Sequence, residues 1–174
     1  MGLVLLASGA TYSTKQTGEK KHIKQVNHCN SARKAIVFYR KATWSTQEQL
    51  RTARSVTRYP ERWAKGCAYL DWIATEWKHN ATEQRKILER LSIPTVAICH
   101  VFGTYCTQAL VVSDCESGHS IHAHNGQYLG LFQMGSSERR IYGHGPTAIT
   151  QSYAAYAYFV DSGKDWSPWS CKPY

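Results

Sequence analysis

The chain lacks the cysteine spacing of a metal centre: none of its six cysteines falls in a Cys-x-x-Cys or paired zinc-ligand pattern. It has no internal repeat and no low-complexity tract, which excludes a repeat array and a linker protein. The apolar opening, residues 2–10, is too short to span a bilayer and lacks the basic n-region of a complete secretory signal. It reads as the end of such a signal, and no transmembrane segment is predicted. Carboxylates are few: 12 Asp+Glu stand against 21 Lys+Arg, a net charge of +9.

The 174 residues suit one well-formed core, or a small domain with an extension, and not two large domains. With 43% apolar and 12% aromatic residues a packed core is within reach and disorder is not the default. The charge is lopsided. Residues 1–92 hold 17 Lys+Arg against 7 Asp+Glu, while residues 93–174 hold 4 against 5. The basic half is drawn to polyanions such as anionic wall polymers, unless its charges are simply the wet faces of helices. Its basic residues lack exposed aromatics interleaved at a readable spacing, so no specific nucleic-acid partner is read. Six cysteines form an even set, which favours disulfides in an oxidising compartment.

Residues 1–28 read as a clipped signal remnant followed by a flexible basic lead-in. A basic helical extension over 29–92 follows. Ala32, Ala35, Ile36 and Tyr39 recur at helical spacing, as do Trp63, Cys67, Leu70, Ile73, Ala74 and Trp77 after Pro60. Cys29 stands before the first of these helices and Cys67 inside the second, so a bond between them would staple the extension. Ser92-Ile93-Pro94 marks the boundary to a second domain over 93–174, with Ser as a cap and Pro in the first helical turn. A helix of about a dozen residues is predicted to end near Ser117, with Gly118 as its left-handed cap. A last helix is predicted from about Pro146 to Val160. Cys99 and Cys106 would lie about 10 Å apart on one continuous helix, too far to bond, but a break at Gly103 could bring them together.

Glu116 shares an apolar helical stripe with Val112, Ala109 and Tyr105. A carboxyl group so placed, at the negative end of a helix macrodipole, is favoured in its protonated form. That is what a general acid needs to protonate a leaving oxygen in glycosidic cleavage. The alternative is an exposed helix-end residue with no role.

The stretch Cys115-Glu116-Ser117-Gly118 is followed by His122-Ala123-His124-Asn125-Gly126-Gln127-Tyr128, then Gly130-Leu131-Phe132-Gln133, Tyr142-Gly143-His144-Gly145, and Trp166-Ser167-Pro168-Trp169-Ser170-Cys171. In this order residues 96–171 resemble the lysozyme-like superfamily, specifically the small transglycosylase-like domains of actinobacterial secreted proteins related to resuscitation-promoting factors. The resemblance implies a mainly α fold of the lysozyme-like α+β kind, with at most a short β-hairpin. It implies that Glu116 is the catalytic acid and that Gln133 lies in the glycan cleft. The substrate would be the β-1,4 link between N-acetylmuramic acid and N-acetylglucosamine in peptidoglycan, cut by a secreted or cell-wall-associated protein without a cofactor. It also joins Cys115 to Cys171, pinning the aromatic tail beside the catalytic helix. Gln127 and Tyr128, just before the Gly130 turn, either line a sugar subsite or support the loop; Tyr156 faces the cleft or the core.

Asp114 points about 200° around the helix from Glu116, so a partner carboxylate is not obvious, with Glu138, Asp161 and Asp165 as the remaining candidates. A single-carboxylate transglycosylase fits more naturally than a two-carboxylate hydrolase. Two rivals are weaker. Asp114-Cys115 followed by Ser117-Gly118 echoes a cysteine peptidase, but places the sulfur near the end of a helix, where the dipole does not activate a thiol. His119, His122 and His124 could suggest a metal but read as a polar loop. The third class is a non-enzymatic wall binder led by the basic extension.

Overall fold

The computed structural model describes residues 10–56, 61 and 66–174. The described residues are mainly helical with one short antiparallel hairpin: α1 (Ala10–Gln49), α2 (Cys67–Arg90), α3 (Pro94–Phe102), α4 (Cys106–Ser117), β1 (His124–Asn125), β2 (Tyr128–Leu129), α5 (Ser136–Tyr142) and α6 (Ala148–Asp161). The described residues divide into two compact units, one within residues up to 45 together with 54–82, the other 46–53 together with 83–174.

In the first unit Ala32 and Ile36 of α1 share a core with Leu70, Ile73 and Trp77 of α2. The Cys29–Cys67 disulfide fastens the two helices, with Cα atoms 4.8 Å apart. Trp44 meets Trp77 edge-on and donates its indole N–H to the Ser55 carbonyl. Arg40 pairs with Glu61 at 2.6 Å. The lead-in over 11–28 is helical where irregular chain was expected. Its Lys, Gln and Glu residues are good helix formers and need no apolar stripe to adopt that backbone. The signal remnant at 1–9, Pro60 and Trp63 lie outside the described residues. Trp72 of α2 is 43% exposed.

The second unit begins earlier than the expected boundary at residue 92, because Leu88 in the last turn of α2 and Leu91 just beyond its end join its core. Pro94 opens α3 with its fixed φ, and Ser92 does not cap it: its hydroxyl turns back to the Glu89 carbonyl, leaving Ile93 at the N-cap. Gly103 at φ 54° breaks the apolar run, and a single 3₁₀ turn, Gly103–Tyr105, redirects it into α4. That break brings Cys99 and Cys106 to a Cα separation of 4.4 Å and a third disulfide forms there. Pro94–Ser117 is long and apolar enough to cross a membrane by length and composition alone. It is bent at Gly103, and Ala97, Ile98, Phe102, Ala109 and Val112 along it are core residues. Phe102 stacks on Phe132 and Trp166 at 5.3 and 5.7 Å, and Phe159 lies 4.4 Å from Trp166. α6 starts two residues later than expected, because Thr147 and Thr150 form a capping box. Leu50 joins this core, and its carbonyl accepts the Tyr153 hydroxyl at 2.8 Å.

Candidate functional site

α4 delivers Glu116 on its last turn. Gly118 ends the helix at φ 61°, ψ 35°, with its N–H on the Asp114 carbonyl and the next amide on Ser113. A left-handed residue here favours glycine, because a Cβ would crowd the following carbonyl. Asp114 points away into solvent, 3.8 Å from His119, while Glu116 is half-buried.

Opposite α4, the hairpin pairs Asn125 with Tyr128 across a two-residue turn whose first corner is Gly126 at φ 59°. The chain then folds into a tight turn over 130–133 in which most backbone groups are held. The Gly130 N–H donates to the Ala123 carbonyl, and its own carbonyl accepts both the amide and the side-chain Nε2 of Gln133. The Leu131 carbonyl accepts the hydroxyls of Ser113 and Ser117 of α4, at 3.1 and 2.8 Å. Its N–H donates to Oε1 of Gln151, at 3.0 Å. The Phe132 carbonyl accepts the Trp169 indole N–H at 2.9 Å. Gln133 therefore sits at φ 43°, a backbone strain that the surrounding bonds over-determine.

Gln151 is the centre of this lattice and is buried. Besides Leu131 it serves two loops, donating Nε2 to the carbonyls of Ile121 and Gly145. Gly130, at φ 74°, lies so close that an added Cβ would stand 2.3 Å from Gln151 Oε1. Only glycine fits both the conformation and the approach.

The tail closes the site. Cys171 is bonded to Cys115 of α4, with Cα atoms 5.9 Å apart, so the neighbouring sulfur is no nucleophile and the cysteine-peptidase reading falls. The Cys171 amide donates to Glu116 Oε1 at 2.9 Å. Lys172 ties the tail to itself by donating to the carbonyls of Trp166, Ser167 and Trp169.

These elements enclose a cleft of about 270 Å³ lined by Glu116, Asn125, Tyr128, Gln133, Pro168, Trp169 and Ser170. It can seat a sugar ring: an aromatic wall for the ring face, amides for its hydroxyl and acetamido groups, and one carboxyl group. A larger cavity of about 630 Å³ lies at α2 and α3, lined by Ile87, Leu91, Val96 and His100 among others. Among the described residues that line it there is no carboxylate and no free thiol, so its size does not make it the reactive site.

Of the residues expected at the site, Glu116, Gln133 and Tyr128 share this cleft. Gln127 does not line it: its side chain accepts the Ser136 hydroxyl and its carbonyl accepts Arg139, which makes it a support of the hairpin. Tyr156 is taken by the core, edge-on to Phe102 at 5.2 Å. Asp161 accepts the Tyr142 hydroxyl at 2.5 Å, and this bond, with desolvation and the nearby acids, pushes the phenol up to about 12. Asp165 accepts the Ser167 amide, and Glu138 lies beside Gly135. Among the described residues, then, Glu116 is the acidic residue that lines the cleft. His119 turns to the Ser113 hydroxyl at 3.2 Å, while His122 and His124 are exposed; among the described residues no cluster could hold a metal ion. Asn125, Pro168, Trp169 and Ser170 were not foreseen as walls, although all lie within the quoted motifs. The pinning of the aromatic tail to α4 was the signal that could have found three of them. The three disulfides belong to an oxidising environment. No family model, curated protein or solved structure matches the chain.

Proposed function

We propose that the second unit is a lysozyme-like glycosidase that cleaves the β-1,4 bond between N-acetylmuramic acid and N-acetylglucosamine of peptidoglycan, with Glu116 as the catalytic acid. The observation that carries this reading is the cleft in which Glu116 shares walls with Asn125, Tyr128, Gln133 and Trp169. With its Oε1 accepting the Cys171 amide, a protonated Glu116 can carry its proton on Oε2 and deliver it to the leaving oxygen. The carboxylate left behind can then take a proton from the muramoyl 6-hydroxyl, which closes an anhydro ring. Because no second acid lines the cleft among the described residues, this single-carboxylate route is favoured over hydrolysis.

The disulfides agree with a secreted or wall-associated protein, and the basic first unit with electrostatic retention at an anionic surface. The test is Glu116→Gln, which keeps an acceptor for the Cys171 amide and removes the proton. We expect an unchanged fold and at least a ~100-fold loss of fragment release from purified peptidoglycan. Mass analysis of wild-type products should show anhydro-muramic ends. Full activity of the variant would remove Glu116 from the mechanism, and reducing ends would replace the transglycosylase by a hydrolase.

A further inference from the structure

The outward face of α1 in the first unit is apolar as well as basic, and no role in the cleft accounts for it. At about 100° per residue, Ile23, Val26, Val37 and Phe38 fall within roughly 120° of arc, opposite the buried Ala32, Ile36 and Thr43. These four are 54%, 45%, 40% and 65% exposed, so the core does not use them. Lys20, Lys34 and Lys41 lie in the same arc, with Arg33 at its edge, and all four side chains are exposed. None forms an ion pair with a described residue. From Lys20 to Gln47 the sequence contains no Asp or Glu, and the nearby Glu61 and Asp71 are engaged by Arg40 and His28. The result is a strip about 30 Å long in which two exposed apolar pairs, Ile23 with Val26 and Val37 with Phe38, lie among lysines, with Asn27 and Asn30 between the pairs.

A soluble polyanion would use the lysines and leave Phe38, Val37, Val26 and Ile23 in water. An anionic lipid surface uses both, the ammonium groups at the headgroups and the apolar side chains at the acyl boundary. We propose that this face of α1 docks the protein on an anionic phospholipid bilayer, lying in its surface and not spanning it. The charge complementarity selects acidic over neutral headgroups, and the exposed Phe38 and Val37 select a bilayer over a free polymer. The proposal stands independently of glycan cleavage.

The test is cosedimentation of the full chain with vesicles of pure phosphatidylcholine and of an equimolar mixture with phosphatidylglycerol. Binding to the mixture alone is expected. Lys34→Glu with Lys41→Glu should weaken partitioning by at least about tenfold. Phe38→Ser, which leaves the charge unchanged, should weaken it by about tenfold as well, and Val37→Ser by less. All four side chains are exposed, and circular dichroism of each variant checks that the helix is retained. Absence of binding to the mixed vesicles, equal binding to neutral ones, or sensitivity to the lysines alone would overturn the proposal. The last outcome would reassign the face to a soluble wall polymer.

Discussion

The two units of this protein hold their shape by different means. The first is two helices closed over a small set of buried side chains and one disulfide, with long stretches of α1 facing solvent. The second has an aromatic core around Phe102 and, on top of it, a polar lattice that fixes one turn, residues 130–133, from four directions. Each unit leaves one buried donor unpaired among the described residues, the Trp77 indole and the Ser152 hydroxyl. The difference is therefore in how much side-chain hydrogen bonding is directed to a single piece of backbone. A unit that only presents a surface can rely on a staple, whereas one that positions a carboxyl group against a cleft wall has to hold that wall.

Breaking the staple should separate the units most clearly. Replacing Cys29 and Cys67 by Ser removes a link across 38 residues, about 4 kcal/mol on the chain-entropy estimate. Hydrogen exchange should show α1 and the first turns of α2 opening while α4 and α6 stay protected. Simultaneous loss of protection in α6 would mean that the units are one cooperative body. Gln151→Leu tests the other side. It leaves the Leu131 amide and the carbonyls of Ile121 and Gly145 without their partner, which should cost about 3 kcal/mol in urea denaturation of the second unit. On the proposed function it should also lower glycan cleavage, and a shift below about 1 kcal/mol would show that the lattice is dispensable.

Two smaller effects are read by titration. Tyr142 is raised to about 12, so its bond to Asp161 contributes stability that is intact below the ordinary phenol value and is lost as pH rises through about 12. Absorbance at 295 nm should show its late ionisation, absent in Tyr142→Phe. His144 is held below the ordinary imidazole range by partial desolvation beside Gly130 and by the Arg139 charge. The unfolded chain thus binds the proton more readily, and stability should fall as pH drops below about 6.5. His144→Gln should flatten that slope, and an unchanged pH profile would remove the histidine from the account.

Much of this architecture was legible because it follows from local rules. The Gly118 cap, the break at Gly103 and the proline start of α3 each rest on one residue's backbone preference. The cleft was half legible: Glu116, Tyr128 and Gln133 stand in short motifs, but Asn125 acquires its place through hairpin pairing with Tyr128, and Trp169 through its bond to the distant Phe132 and the Cys115–Cys171 bridge. Gln151 gave no signal, since its three partners are loop backbone groups, two of them 20 and 30 residues away, and its neighbours in α6 read as an ordinary apolar stripe. Tyr156 stayed open between cleft and core for the converse reason. A tyrosine on the inward side of a helix can serve a groove or a core, and periodicity does not distinguish the two.

The bridge between Cys115 and Cys171 ties the last residues of the chain to the helix turn that carries Glu116. Cutting that one covalent link would free the last residues of the chain, and with them both the amide on Glu116 and the indole that anchors Phe132. On the proposed reading, the protein would be inert wherever thiols are kept reduced, and would gain its reactive centre only on reaching an oxidising space.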